Sequence, residues 1–254
     1  MKVLHLCLAN FYIDNYSYQE NMLTRYHKVL GIEVEIIASL VSFDSDGKTC
    51  ELEKGTSYYN EHGIKVTRLD YNKNFFSRRF RAYKNTYEEI LKSKPDIIFI
   101  HGCQFVDIKY VVKYAKENPN IKIYVDNHAD FNNSGKNFLS KNILHKIIWK
   151  KCAEIIEPYT DKFYGVLPAR VDFLIDVYKV PKDKVELLVM GADDEKIEEL
   201  GKGDTAVHLR KKLAISNKNF VIVTGGKIDS NKIQTLNLME AVNKIDASNV
   251  RLIV

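Results

Sequence analysis

Near residue 225 the chain carries two glycines and two lysines at a spacing suited to holding phosphate. An apolar run, Phe220-Val221-Ile222-Val223-Thr224, leads into Gly225-Gly226-Lys227, and Lys232 follows where a helical pattern begins. Glycine lets a backbone approach a ligand closely, and a helix start offers unpaired N–H groups to an anion. A lysine 4 Å from a phosphate charge contributes about 4 kcal/mol at an effective dielectric near 20, before desolvation is counted. Such a turn can stabilise a departing nucleoside diphosphate. Taken alone, Gly-Gly after a strand is more often only a turn.

Three other loops gather groups able to do chemistry. The loop after the first apolar run holds Asn10, Asp14, Asn15, Tyr16, Ser17, Tyr18, Gln19 and Glu20. The loop after Ile97–Ile100 opens with His101-Gly102, and the one after Ile121–Val125 reads Asp126-Asn127-His128-Ala129-Asp130-Phe131-Asn132-Asn133-Ser134-Gly135. Imidazole exchanges protons near neutral pH, which makes His128 the leading catalytic candidate, with His101, Asp126 and Asp130 behind it. Structural readings stand beside these. His101-Gly102 can simply cap a strand, and Tyr16, Tyr18 and Gln19 can open a helix with Asn15 as its N-cap.

The elements that would position these loops alternate, as in a parallel α/β sheet. Strands are predicted at Val3–Leu8, Val34–Ala38, Ile64–Leu69, Ile97–Ile100, Ile121–Val125, Phe163–Leu167, Val185–Val189, Phe220–Thr224 and Arg251–Val254, with helical spacing between most of them. Gly31 marks the end of the first helix, residues 40–63 read as a long loop or hairpin, and a helix is expected from about Phe138 to Ile156. Residues 1–190 form one complete doubly wound domain, 191–204 a linker and 205–254 the opening of a second domain. In such sheets the chemistry sits in loops beyond the C-terminal strand ends, so the four loops converge on one crevice. A chain that stops at an apolar strand, Arg251-Leu252-Ile253-Val254, reads as truncated.

Composition excludes several classes. With 254 residues, 45% hydrophobic and 28% charged, the chain can bury a large core and is not a disordered polyelectrolyte. Its net charge of +5 mildly favours anionic partners without choosing among them. Cys7, Cys50, Cys103 and Cys152 are dispersed, which suits reduced thiols and neither a disulfide frame nor a metal site. No signal-peptide layout and no apolar run of about 18 residues is present, so a cytoplasmic location is expected. The basic segments at Arg78–Lys84 and Lys136–Lys151 raise a peripheral contact with the inner membrane face. The lysines of the second, however, fall on several sides of its helix. The first strand lacks Gly-x-Gly-x-x-Gly, against a dehydrogenase, and no basic–aromatic stripe points to nucleic acid.

The order of these pieces resembles the GT-B fold retaining glycosyltransferases of the family 4 group, especially bacterial members acting on surface polysaccharides. The resemblance rests on Tyr18-Gln19-Glu20-Asn21, Tyr26 through Val34, Lys94-Pro95-Asp96-Ile97-Ile98, His128 after its strand, Lys182 through Val185, and Val189-Met190-Gly191-Ala192-Asp193. The turn at Gly225-Gly226-Lys227 with Lys232 completes it. It implies two Rossmann-like domains, a nucleotide-diphosphate sugar donor, and a saccharide or lipid-linked saccharide acceptor. Transfer with retention follows from it, with no cofactor and no obligatory metal. It assigns His128 to the transferred sugar, Gly225, Gly226, Lys227 and Lys232 to the donor diphosphate, and Tyr16–Glu20 to acceptor or phosphate. The family's paired downstream glutamates are not in this chain, which alone is expected to be inactive. Two other readings stay open: a GT-B nucleotide-sugar epimerase, and a non-catalytic partner of a glycosyltransferase.

Overall fold

A computed structural model describes residues 1–131, 134, 139–225 and 233–254. Gly226, Lys227 and Lys232, and also Asn132, Asn133, Gly135 and Lys136, lie outside the described residues. The chain divides into two compact units, Met1–Ala192 and Asp193–Val254.

In the first unit β1 (Lys2–Cys7) leads to α1 (Gln19–Val29) and β2 (Glu33–Ala38). Three short strands follow, β3 (Val41–Phe43), β4 (Thr49–Glu51) and β5 (Ser57–Tyr59), and then β6 (Lys65–Arg68). A single turn, α2 (Ser77–Phe80), precedes α3 (Thr86–Ser93), β7 (Ile97–His101), α4 (Ile108–Glu117) and β8 (Lys122–Asn127). A wide helical segment, Leu139–Trp149, continues into α5 (Lys150–Ile156), followed by β9 (Lys162–Gly165), α6 (Pro168–Asp176) and β10 (Val185–Leu187). The main sheet runs β10-β9-β8-β7-β1-β2-β6-β5, parallel except for β5 against β6. The chain winds outward from β1 through β2 to β6, then resumes on the other side at β7. The seam between β1 and β7 is therefore the switch point where this sheet type opens a ligand crevice.

Period-two alternation gives the central strands two different faces. On one, Leu4, Leu6, Ile98, Ile100, Ile123 and Val125 are buried with Ile108, Val111, Ala153 and Ile156 from the helices. The other face, under α1, is apolar in β2 at Val34, Ile36 and Ala38. Across β1, β7 and β8, however, it carries His5, Phe99, His101 and Asp126, with His5 paired in register to Phe99 and His101 to Asp126. Polar side chains thus occupy a buried surface that Val or Ile could fill.

Residues 40–63, read as a long loop or hairpin, fold as the β3–β4 hairpin and the edge strand β5. Asn15 is not the N-cap of α1: the helix starts at Gln19, and Asn15 takes a left-handed φ of 63° and donates its N–H to Glu61 at 3.2 Å. In the second unit, the stretch read as a linker contains α7 (Asp194–Gly201), whose N-cap Asp193 accepts from the Lys196 N–H at 3.3 Å. Asp194 and Glu195 complement the positive end of that helix, so the acidic run is a helix start. The unit continues with α8 (Thr205–Lys212), β11 (Phe220–Val223), α9 (Ile233–Asn243) and β12 (Val250–Ile253), with β11 and β12 paired in parallel. Among the described residues, no helix is long and apolar enough to cross a membrane.

Candidate active site

The loop after β1 is held by a buried arginine. Arg68 donates to the Tyr58 hydroxyl (3.1 Å), the carbonyls of Ser39 (3.0 Å) and Val41 (3.2 Å), and Asp14 Oδ2 (3.0 Å). Tyr58 also donates to Asp14 at 2.6 Å, and Asn60 donates to the Tyr12 hydroxyl at 2.6 Å. Burial and then the Asp14 hydrogen bond push the Tyr58 phenol up to about 12, which keeps it a donor. Asn21 ties α1 to the same loop through the Ile13 carbonyl at 2.9 Å. These bonds deliver Tyr18, Gln19 and Glu20 to the mouth of the switch point.

That mouth is a cleft of about 750 Å³ within the first unit. Its walls include Asn10, Phe11, Tyr18, Gln19 and Glu20 on one side and Arg78, Arg79 and Arg81 on another, with His128, Gln104, His145 and Trp149 also facing it. Arg81 has a left-handed backbone (φ 55°), donates to the Gln104 carbonyl at 2.7 Å and stands over the Trp149 ring at 5.6 Å. Burial, and then the Arg81 charge, lower His145 to about 4, so its ring is neutral where it meets the Tyr178 hydroxyl at 2.8 Å. The Arg79 side chain makes no hydrogen bond or ion pair among the described residues, although it lines the cleft. Asn10 Nδ2 and Gln19 Oε1 are buried without hydrogen-bond partners among them. Buried polar atoms left unpaired are costly, and a ligand with hydroxyl groups would satisfy both.

His128 sits between two acids, its Nε2 3.4 Å from Asp126 Oδ2 and 4.0 Å from Glu20 Oε1. Burial disfavours its charged form, but the Asp126 and Glu20 carboxylates outweigh burial and raise its pKa above 6.5, against an opposing push from Arg170. Asp126 is fully buried. Burial by itself would raise its pKa, yet His101 and His128 hold it well below the usual carboxylate range. The Asp126 carboxylate is the hinge of this arrangement.

From Asp126 a row of three histidines runs back under α1. His101 Nδ1 lies 2.8 Å from Asp126 Oδ2, and His101 Nε2 is 3.0 Å from His5 Nδ1. His5 Nε2 is 3.0 Å from His27 Nδ1 on α1. The His5 and His101 rings stack at 5.2 Å with an 18° tilt, and Phe99 packs against both. Burial first, then its two histidine neighbours, lower the His5 pKa well below 6.5 and keep it neutral. Gly102, just beyond His101, adopts φ +82°, and a Cβ there would stand 2.6 Å from Gln104 Oε1. Glycine alone allows the chain to turn away so tightly after the histidine.

Of the residues singled out from sequence, His128, Tyr18, Gln19 and Glu20 meet in the cleft, with Asp126 and His101 directly behind His128. Tyr16 stacks on Tyr18 at 5.4 Å and edges onto Phe43, away from the cleft lining, and Ser17 is exposed beside it. Asp130 turns from the cleft to Arg170, 3.2 Å from its Nε. Gly225 follows β11 in the second unit. His5 and His27 were not singled out. The available signal was a histidine in the middle of Val3-Leu4-His5-Leu6-Cys7, where period-two burial leaves no water to meet it. Among the described residues, no group of three or more His, Cys, Asp or Glu side chains is arranged to hold a metal ion.

No protein-family model matches the chain, and no curated protein matches it by sequence. Solved structures do resemble it in fold. A glycosyltransferase from Rickettsia africae ESF-5 superposes with a TM-score of 0.58 at 18% identity, over 96% of this chain and 57% of that one. WaaG, a glycosyltransferase involved in lipopolysaccharide biosynthesis, gives 0.59 at 12% identity, over 98% and 62%. A trehalose-6-phosphate synthase gives 0.55 at 13%, over 98% and 62%. The chain thus spans roughly three-fifths of the length of these proteins. The fold is the Rossmann-like α/β architecture of the GT-B class.

Proposed function

We propose that the protein is a glycosyltransferase of the GT-B class, whose first unit receives the acceptor in the cleft at the β1–β7 switch point. The observation that carries this reading is His128, held between Asp126 and Glu20 at the cleft beside the unpaired Asn10 and Gln19. Polar atoms at fixed positions flanked by Phe11 and Tyr18 suit a saccharide, whose C–H faces pack on aromatic rings while its hydroxyls pair. A nucleotide-diphosphate sugar would be the donor, with Gly225, Gly226, Lys227 and Lys232 as its diphosphate contacts. Retention of configuration, a role in surface polysaccharide synthesis and independence from a metal are parts of the proposal drawn from the resemblance in sequence.

His128, charged by Asp126 and Glu20, would hold an oxygen of the transferred or accepting sugar and steady charge as the glycosidic bond exchanges. In protein active in sugar transfer, His128→Ala is therefore expected to lower kcat about 100-fold or more while donor KM changes much less. Steady-state transfer from radiolabelled nucleotide sugars checks this, and unchanged turnover removes His128 from the mechanism. Product formed from donor without acceptor would assign the epimerase reading instead.

The cleft's charge narrows the ligand further. Among the described residues, three arginines face it against a single lining carboxylate, Glu20, which lies 4.0 Å from His128 Nε2. Arg78 is paired with Glu51 at 2.9 Å, leaving the Arg79 guanidinium available to a phosphate or carboxylate substituent on the saccharide. A charge-assisted bond of this kind contributes about 1.5–3 kcal/mol. Arg79→Ala should accordingly weaken binding of a hexose 6-phosphate at least tenfold and leave the matching neutral hexose unaffected, as titration calorimetry would show. Equal losses for both sugars would remove Arg79 from anion recognition.

A further inference from the structure

Among the self-consistent hydrogen-bond states of the histidine row are two that differ by one proton. In the first, all three rings are neutral and carry hydrogen on Nδ1. His27 then donates to His5, His5 to His101 and His101 to Asp126, so every short contact has one donor and one acceptor. In the second, His101 is an imidazolium donating from Nδ1 to Asp126 and from Nε2 to His5, while His5 donates from Nε2 to His27. With the added proton on His27 or His5 the contacts are also satisfied, but the charge then stands farther from the Asp126 carboxylate. In the neutral row any other set of tautomers faces two lone pairs or two N–H groups at a short contact.

A single shift connects the states. Water gives a proton to His27 Nε2. The His27 Nδ1 proton passes to His5 Nε2, and the His5 Nδ1 proton passes to His101 Nε2. One proton has entered at His27 and one positive charge has appeared on His101. His5 is neutral in both states and only changes tautomer, in keeping with its burial between two imidazoles and Phe99. His27 is half-buried on α1, and its Nε2 has no protein partner among the described residues, so it is the row's opening to water.

We propose that His27, His5 and His101 form a proton-conducting row that links the α1 side of the first unit to Asp126 and so sets the charge of His128 in the cleft. His101 and His128 share the same oxygen, Asp126 Oδ2, at 2.8 and 3.4 Å. An imidazolium at His101 draws that oxygen's charge and loosens its hold on His128, which then releases its proton into the cleft. In this step the proton that enters at His27 is held on His101 and one leaves from His128, so the net charge is unchanged; the reverse shift restores both. The other charged groups facing this region are Glu20 on α1, Asp130 with its partner Arg170 on α6, and Arg68 with Asp14. All but Glu20 are in ion pairs of their own, which leaves Glu20 and Asp126 to compete for His128. The inference does not depend on which ligand the cleft takes. His5, His27 and His101 are positioning residues here, acting on substrate through His128.

The test is ring-nitrogen NMR of the 254-residue chain labelled with 15N-histidine, followed through falling pH. The expected result is one transition in which His101 gains its second ring proton as His5 exchanges Nδ1–H for Nε2–H, with a downward shift in the His128 titration. A His5 ring that keeps one tautomer across that transition overturns the proposal, and this reading needs no variant. The paired variant is His27→Gln, at a half-buried helical site, whose amide can hydrogen-bond His5 but cannot pass a proton. Exchange between the two forms of His101 should slow at least tenfold in it. An unchanged rate, with an undisturbed backbone spectrum, assigns the row a static role and overturns conduction. Neither outcome alters sugar transfer as such, which stands or falls on His128→Ala.

Discussion

Replacing Asp126 with alanine is expected to destabilise the first unit by about 3–5 kcal/mol, the cost of removing one partner from a buried charged pair. The carboxylate is fully buried and accepts from His101 at 2.8 Å, with His128 3.4 Å away. Without it His101 loses its acceptor, and the whole row behind it loses its anchor. Urea unfolding of wild type and variant measures the loss, and Asp126→Asn, which keeps volume and an acceptor, should recover part of it. The pH dependence carries a sign. Asp126 has a depressed native pKa, so its contribution is complete above the unfolded value of about 3.9 and disappears as pH falls through the native value. His128 is raised, so its contribution is complete below about 6.5 and is lost as pH rises through its native value. The gap between wild type and Asp126→Ala is therefore widest between roughly pH 4 and 6.5. A gap that is flat in pH would mean the carboxylate acts by packing, not by charge.

A comparable loss is expected from Arg68→Ala. The guanidinium is fully buried, makes four hydrogen bonds to Tyr58, Ser39, Val41 and Asp14, and lies 5.3 Å over the Tyr12 ring. Truncation leaves two carbonyls without this donor and Asp14 without its counter-ion, at about 3–5 kcal/mol. Arg68→Lys restores charge but cannot reproduce the fork, and should recover less than half. The consequence reaches the cleft, because the loop from Tyr12 to Tyr18 is fastened to β5 and β6 through this residue. Faster amide exchange across residues 10–18, together with weaker saccharide binding, is the expected signature. Arg68→Ala within about 1 kcal/mol of wild type would show that the loop is held by packing alone.

These two residues mark different limits of what a sequence discloses. Arg68 closes the predicted strand Ile64–Leu69, and nothing in its neighbours says whether it faces water or Asp14, 54 positions earlier. Asp126 was named among the secondary candidates because it follows a buried strand, but its partners His5 and His27 were not. Their ring nitrogens meet only because β1, β7 and β8 are adjacent in the sheet and α1 crosses that face. Short-range patterns also offered the wrong cap for the first helix and gave no sign of the helix inside the stretch read as a linker. Asn15 had the right residue type for an N-cap but the wrong place. The acidic run after Asp193 looked like loop composition and is a helix start.

The sequence by itself determined the alternation of strands and helices, the doubly wound class and the four loops where chemistry would gather. All of these follow from hydrophobic periodicity and from the rule that parallel strands present their loops at one edge. It also put His128 directly after an apolar strand, and the structure places that residue at the cleft; the glycine–lysine turn beyond Gly225 lies outside the described residues. Tertiary structure alone decided which of those groups touch: Asp126 beneath His128, Glu20 across from it, the arginine wall, and the row from His101 to His27. Hydrogen bonds between imidazoles 22 and 96 positions apart depend on strand order and register to within tenths of an ångström. No local pattern in the chain encodes that.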